Sequence, residues 1–139
     1  MTVEDFAEKL IGIAADMSRE DTGAADPKRK QPFSEERAEA FIRELGSMYS
    51  EREMRSEFSR KQAARILHVF FLKVLDWQDE DWGECSSLRD IYDCRICANA
   101  IAQVCVKGIM HPVKRTEFGI APILSGEEAE EIFRRIREI

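Results

Sequence analysis

Ser59-Arg60-Lys61-Gln62-Ala63-Ala64-Arg65-Ile66-Leu67-His68-Val69-Phe70-Phe71-Leu72-Lys73-Val74-Leu75 carries the strongest structural signal in the chain. Ala63, Ile66, Leu67, Phe70, Phe71, Val74 and Leu75 recur at three- and four-residue spacing, which gathers them on one broad helical face. Ser59 and Gln62 stand at the spacing of a capping box, in which each side chain bonds the other residue's backbone N–H. A face this wide needs apolar partners on several sides. A helix over 59–76 is therefore expected to be central in an all-α fold.

Four more helices follow from the same signals. Thr2 and Asp5 open one over 2–17, with Phe6, Ala7, Leu10, Ile11, Ala14 and Met17 as its stripe. Residues 18–33, with Gly23, Pro27 and Pro32, read as a long loop. Ser34 caps a helix carrying Ala38, Phe41, Ile42 and Leu45, which Gly46 is expected to end. Ser50–Glu57 reads as one or two helical turns, and 76–87 as an acidic loop. Asp93–Lys107 reads as a helix with Ile96, Cys97, Ala100, Ile101, Val104 and Cys105 buried and Gly108 as its stop. After a loop over 111–124, Ser125 and Glu128 form a second capping box for a helix ending near residue 137. Its acids lie early and its arginines late, as the helix dipole prefers. The bundle is expected to hold about five main helices.

The chain has 139 residues, enough for a single domain. It is 44% hydrophobic and 35% charged, the balance of a soluble chain with a real core. No run approaches the ~20 apolar residues of a membrane span; the closest, Ile66 to Leu75, is broken by His68 and Lys73. A net charge of −6 argues against nucleic acid as a partner, and Lys28-Arg29-Lys30 is too short a run to change that. Met1 to Met17 has no apolar leader core. That implies a cytoplasmic protein if Met1 is the true start, and a cell-envelope protein if a leader was removed.

The helix openings repeat. Thr2-Val-Glu-Asp-Phe-Ala, Ser59-Arg-Lys-Gln-Ala-Ala and Ser125-Gly-Glu-Glu-Ala-Glu recur about every sixty residues, which suggests stacked helix–loop–helix units. Asp90-Ile91, Ala100-Ile101, Gly108-Ile109, Phe118 and Leu124-Ser125-Gly126-Glu127-Glu128 lie, without a gap over 90–136, on the pattern of an S-layer homology motif, which this stretch resembles. The resemblance implies a single all-α domain made of a half-repeat (1–18) and two repeats (32–76 and 88–137). Family members bind acidic cell-wall polysaccharide in grooves between motifs. The family's Trp is Ile96 here, and of three copies of its Thr-Arg-Ala-Glu only Ser59-Arg60-Lys61-Gln62 keeps the arginine. The resemblance therefore implies at most one anion site, at Arg60 and Lys61 on a helix N-terminus, with Trp77 or Trp82 as stacking partners.

The remaining candidates have plainer readings. Cys94, Cys97 and Cys105 fall on one helical stripe and are expected to be reduced, unmetallated core residues, with zinc or a disulfide as the alternatives. Trp77-Gln-Asp-Glu-Asp-Trp82 lacks the ligand spacing of a calcium loop and reads as an acidic loop with tryptophans folded back onto the core. His68 reads as a packed histidine, and His111 has no evident partner. With no nucleophile–base pair, phosphate loop or cofactor motif, the expectation is a non-catalytic, cofactor-free binding module. Its partner would be an envelope glycan or an envelope-linked protein. The alternative is an intracellular helical module for protein contact or self-association.

Overall fold

Side-chain caps and apolar stripes place the helices close to where the sequence puts them. The computed structural model describes residues 1–20 and 33–139. The helices are α1 (Val3–Glu20), α2 (Glu35–Met48), a single turn α3 (Glu51–Met54), α4 (Arg60–Lys73), α5 (Arg95–Val106) and α6 (Gly126–Arg137). Two 3-10 turns, Gly83–Ser87 and Arg89–Asp93, precede α5. Among the described residues there is no sheet, only the isolated bridges Ser59–Ile123 and Lys114–Glu117. The fold is all-α with five long helices. α1 continues to Glu20, and residues 21–32 of the expected loop lie outside the described residues.

The described residues divide into two compact units. The first comprises 1–57 and 69–78 and the second 58–68 and 79–139, so that α4 gives its first half to one and its second half to the other.

In the first unit the core is apolar and aromatic. Val3, Phe6, Ala7, Leu10, Ile13 and Ala14 of α1 are buried, as are Phe41 and Leu45 of α2. A file of rings runs Phe41–Phe70–Phe71–Trp77, with centroids 5.6, 6.4 and 4.9 Å apart. Such pairs add about 0.5–1.5 kcal/mol beyond area burial. Gly46 does not stop α2, which runs on to Met48 and is capped at Tyr49, whose N–H donates to Leu45 O. A glycine ends a helix only where the backbone turns left-handed, and here it stays helical. Ser50 and Glu53 complete a capping box on α3.

In the second unit, α5 buries Cys97, Ala98, Ala100, Ile101, Ala102, Gln103 and Val104, while α6 buries Ala129, Ile132, Phe133 and Ile136. Ile96, expected in the buried stripe, is 74% exposed. The helix starts at Arg95 rather than Asp93, and Ile96 in its first turn points away from the apolar face.

Candidate functional site

The predicted anion site begins at α4, and the structure closes it. The first amides of a helix bind an anion only when free. Here Arg60 N–H donates to Pro122 O (2.9 Å), Lys61 N–H to Ile120 O (3.2 Å), Gln62 N–H to Ser59 Oγ (3.3 Å) and Ala63 N–H to Ser59 O (2.9 Å). The Ser59–Gln62 box forms as read, with Ser59 N–H donating to Gln62 Oε1 at 2.8 Å.

Arg60 itself turns inward and is 4% exposed. Its Nε donates to Gly119 O (3.0 Å), and Nη2 to His111 O (2.7 Å) and Phe118 O (3.1 Å). Nη1 pairs with the Glu128 carboxylate, and the guanidinium lies 4.7 Å over the Phe118 ring. Burial lowers the Arg60 pKa from its ordinary value; Asp90 opposes this and Arg135 adds to it. Guanidinium pKa values lie so high that the group stays charged. The anion-site reading of Arg60 is therefore corrected: its donors meet three carbonyls and a carboxylate of its own unit. Glu128 is explained by the same contact. Ser125 Oγ caps α6 by accepting from Glu128 N–H (3.1 Å), but the Glu128 carboxylate goes to Arg60 instead of closing the expected second box.

Asp90 fastens the same loop from its other side. Its two carboxylate oxygens accept from the N–H groups of Phe118 and Gly119, both at 2.8 Å. The two peptides are thus held by a carboxylate at their amides and a guanidinium at their carbonyls. Gly119 has φ +86, and a Cβ there would stand 2.9 Å from Val113 Cγ1, so the turn requires glycine.

The acidic loop is pinned to α5. His68 Nε2 and Asp79 Oδ1 are 2.8 Å apart, and Asn99 Nδ2 donates to Asp79 Oδ2 (2.9 Å). Gln103, fully buried, accepts from Glu80 N–H and donates to Glu80 O, while Lys107 Nζ reaches Glu80 Oε2 at 2.8 Å. Burial works to raise the Asp79 pKa but is outweighed by the Asn99 and His68 hydrogen bonds and the His68 and Lys107 charges, and the net direction is down. Sequence reading missed this network, because its partners come from α4, the loop and α5 with no shared motif.

The two tryptophans part company. Trp77 belongs to the first unit and is 5% exposed, stacked on Phe71, with its indole N–H unpartnered among the described residues. It is core, as the plain reading of the loop had it. Trp82, in the second unit, is only half-buried. Its Nε1 donates to Asn99 Oδ1 (3.0 Å) and its ring lies 6.4 Å from that of Tyr92. Tyr92 is 58% exposed, and its hydroxyl donates to Ser86 O at 2.6 Å. Both rings therefore reach the surface with their polar atoms already anchored. Lys61, half-buried, stays at the start of α4.

The cysteines also need correction. Cys85 is bonded to Cys105 and Cys94 to Cys97, leaving no free thiol. The stripe reading fails because Cys94 lies outside the helix: it is the N-cap of α5 in an extended conformation, with its Cα 5.3 Å from that of Cys97. Cys105 is on the helix but half-buried, beside the 3-10 turn that delivers Cys85.

A groove of about 510 Å³ in the first unit is lined by Ile11, Phe33, Ala38 and Ile42 with Glu35, Glu39 and Arg43 at its edges. Among the described residues no helix is long and apolar enough to cross a membrane. Compared with family models, curated proteins and solved structures, the chain matches none.

Proposed function

We propose that this chain is a binding module of the cell envelope that takes an acidic wall polysaccharide on the Trp82–Tyr92 face of its second unit. The observation that carries the reading is that anchored aromatic pair, Tyr92 exposed and Trp82 half-buried. Aromatic rings give broad apolar contact at low entropic cost when held rigid, which suits the C–H faces of sugar rings. Arg89 and Arg95, both exposed, flank Tyr92 in sequence and bring the cationic charge that an acidic glycan needs. Two disulfides suit an oxidising compartment outside the cytoplasm. The register of 90–136 on the S-layer homology pattern points the same way, although the ligand face proposed here is not the arginine position of that pattern.

The test is titration of the purified chain with acidic cell-wall polysaccharide, wild type against Tyr92→Ala. Loss of one stacking contact is expected to weaken binding about tenfold, close to 1.4 kcal/mol. Absence of binding by the wild type would remove the glycan and bring forward a protein partner or self-association. Binding that Tyr92→Ala leaves intact would move the glycan site away from this face.

A further inference from the structure

We propose that Cys94 and Cys97 are a redox-active pair that carries out thiol–disulfide exchange with cysteine-containing polypeptides. The proposal adds an exchange activity to the glycan-binding reading above and does not rest on it. Cys85 and Cys105 are both part-exposed, so access alone does not choose between the two bonds; three observations together point to Cys94–Cys97.

The first is access. Cys94 is part-exposed at the cap of α5, whereas Cys97, one turn in, is 1% exposed. A pair with one reachable and one sheltered sulfur has a defined order of attack, because only Cys94 can meet a substrate. The second is electrostatic. Among the described residues no side chain caps α5 at Cys94, and its first turn carries Arg95 and no acid. A thiolate formed at Cys94 would thus sit at the positive end of a twelve-residue helix, an environment that stabilises thiolates, with Asp93 before it as the opposing charge. The third is the surroundings. Ile96 and Tyr92, 74% and 58% exposed, each lie two residues from Cys94 in sequence and give an extended polypeptide an apolar place to rest. Cys85–Cys105 differs in kind: it joins residues 20 apart and ties a 3-10 turn to the end of α5, so it restrains the unfolded chain far more than a bond across three residues can.

In the dithiol form, Cys94 gives its proton to water, and the resulting thiolate attacks one sulfur of a substrate disulfide. The substrate S–S bond breaks, one half leaves as a thiolate that takes a proton from water, and a Cys94–substrate mixed disulfide forms. Cys97 gives its proton to water and attacks Cys94 Sγ. The mixed bond breaks, the second substrate thiolate leaves and is protonated, and the Cys94–Cys97 bond closes. The substrate has gained two electrons and two protons, and the pair has lost them. An external dithiol restores the reduced form, and the reverse sequence oxidises a substrate dithiol.

The test begins with the wild-type full chain under non-denaturing conditions, so that it does not depend on a variant folding. The chain is placed in reduced glutathione and alkylated at intervals, and each cysteine is read by peptide mass. Cys94–Cys97 is expected to open at least about tenfold faster than Cys85–Cys105, with Cys94 labelled before Cys97. In oxidised glutathione, Cys97→Ser, with its fold checked by circular dichroism, is expected to accumulate a glutathione adduct on Cys94. Cys94→Ser is expected to reduce the dithiothreitol-driven cleavage of insulin disulfides to the rate without protein. Opening of both disulfides together, and only on unfolding, would overturn the proposal. So would a folded Cys97→Ser that takes up no adduct, or wild-type insulin cleavage no faster than dithiothreitol alone.

Discussion

The two units solve the same problem with different chemistry. The first, containing α1, α2 and the second half of α4, is held by burial: its interior is Phe6, Leu10, Phe41, Leu45, Phe70 and Phe71, and even the indole N–H of Trp77 is buried without a partner among the described residues. The second has the first half of α4, α5 and α6 but also the long segments 79–94 and 107–125, which lie outside α-helix. Loops bring backbone groups that helices would have satisfied internally, and these must find partners. Arg60, Asp90 and Gln103 supply them, and both disulfides of the chain lie in this unit. Helical packing can rest on non-directional burial, whereas ordered loops need directional bonds. Those bonds leave a fixed surface on which Trp82 and Tyr92 stand.

This contrast can be broken from either side. The largest effect is expected in the first unit. Phe70 touches two other rings of the aromatic file, and Phe70→Ala should cost about 3–5 kcal/mol in urea unfolding, through lost transfer energy and the cavity left behind. A cost below about 1 kcal/mol would mean that the ring file is not what holds this unit. Next comes the long-range disulfide: Cys85→Ser with Cys105→Ser should lose about 3 kcal/mol, as expected for a loop of this separation. An unchanged urea midpoint would show that the polar bonds alone hold the loops.

The smallest effect is acidic. The Asp79 pKa is lowered in the folded chain, so its contribution is present above the unfolded value of about 3.9 and is lost as pH falls through the lower folded value. Between pH 7 and pH 3, wild type should therefore lose more stability than Asp79→Asn, measured as urea midpoints. Parallel losses in the two proteins would place the acid-sensitive group elsewhere.

Much of the fold was legible because caps and stripes are local. Thr2, Ser34, Ser59 and Ser125 each accept the backbone bond their positions announce. The candidate site was less legible because it is made of non-local contacts. A first-turn arginine reads as a surface residue, and nothing within Ser59-Arg60-Lys61-Gln62 says that Gly119, Phe118 and His111, more than 50 residues on, will offer it their carbonyls. The cysteine stripe failed by a two-residue error in where α5 begins, enough to turn Cys94 from a helix residue into its cap. Trp77 and Trp82 look like a pair in sequence, yet the unit boundary falls between them.

The central claim is that Arg60 builds the second unit while the Trp82–Tyr92 face serves its ligand. Measuring Arg60→Ala and Tyr92→Ala side by side, for urea stability and for binding of acidic wall polysaccharide, tests it most directly. Arg60→Ala strands the Glu128 carboxylate and three carbonyls and should cost about 3 kcal/mol of stability, whereas Tyr92→Ala should cost less than about 1 kcal/mol and weaken binding about tenfold. An Arg60→Ala protein that keeps its stability but loses the polysaccharide, beside a Tyr92→Ala protein that binds normally, would contradict the account.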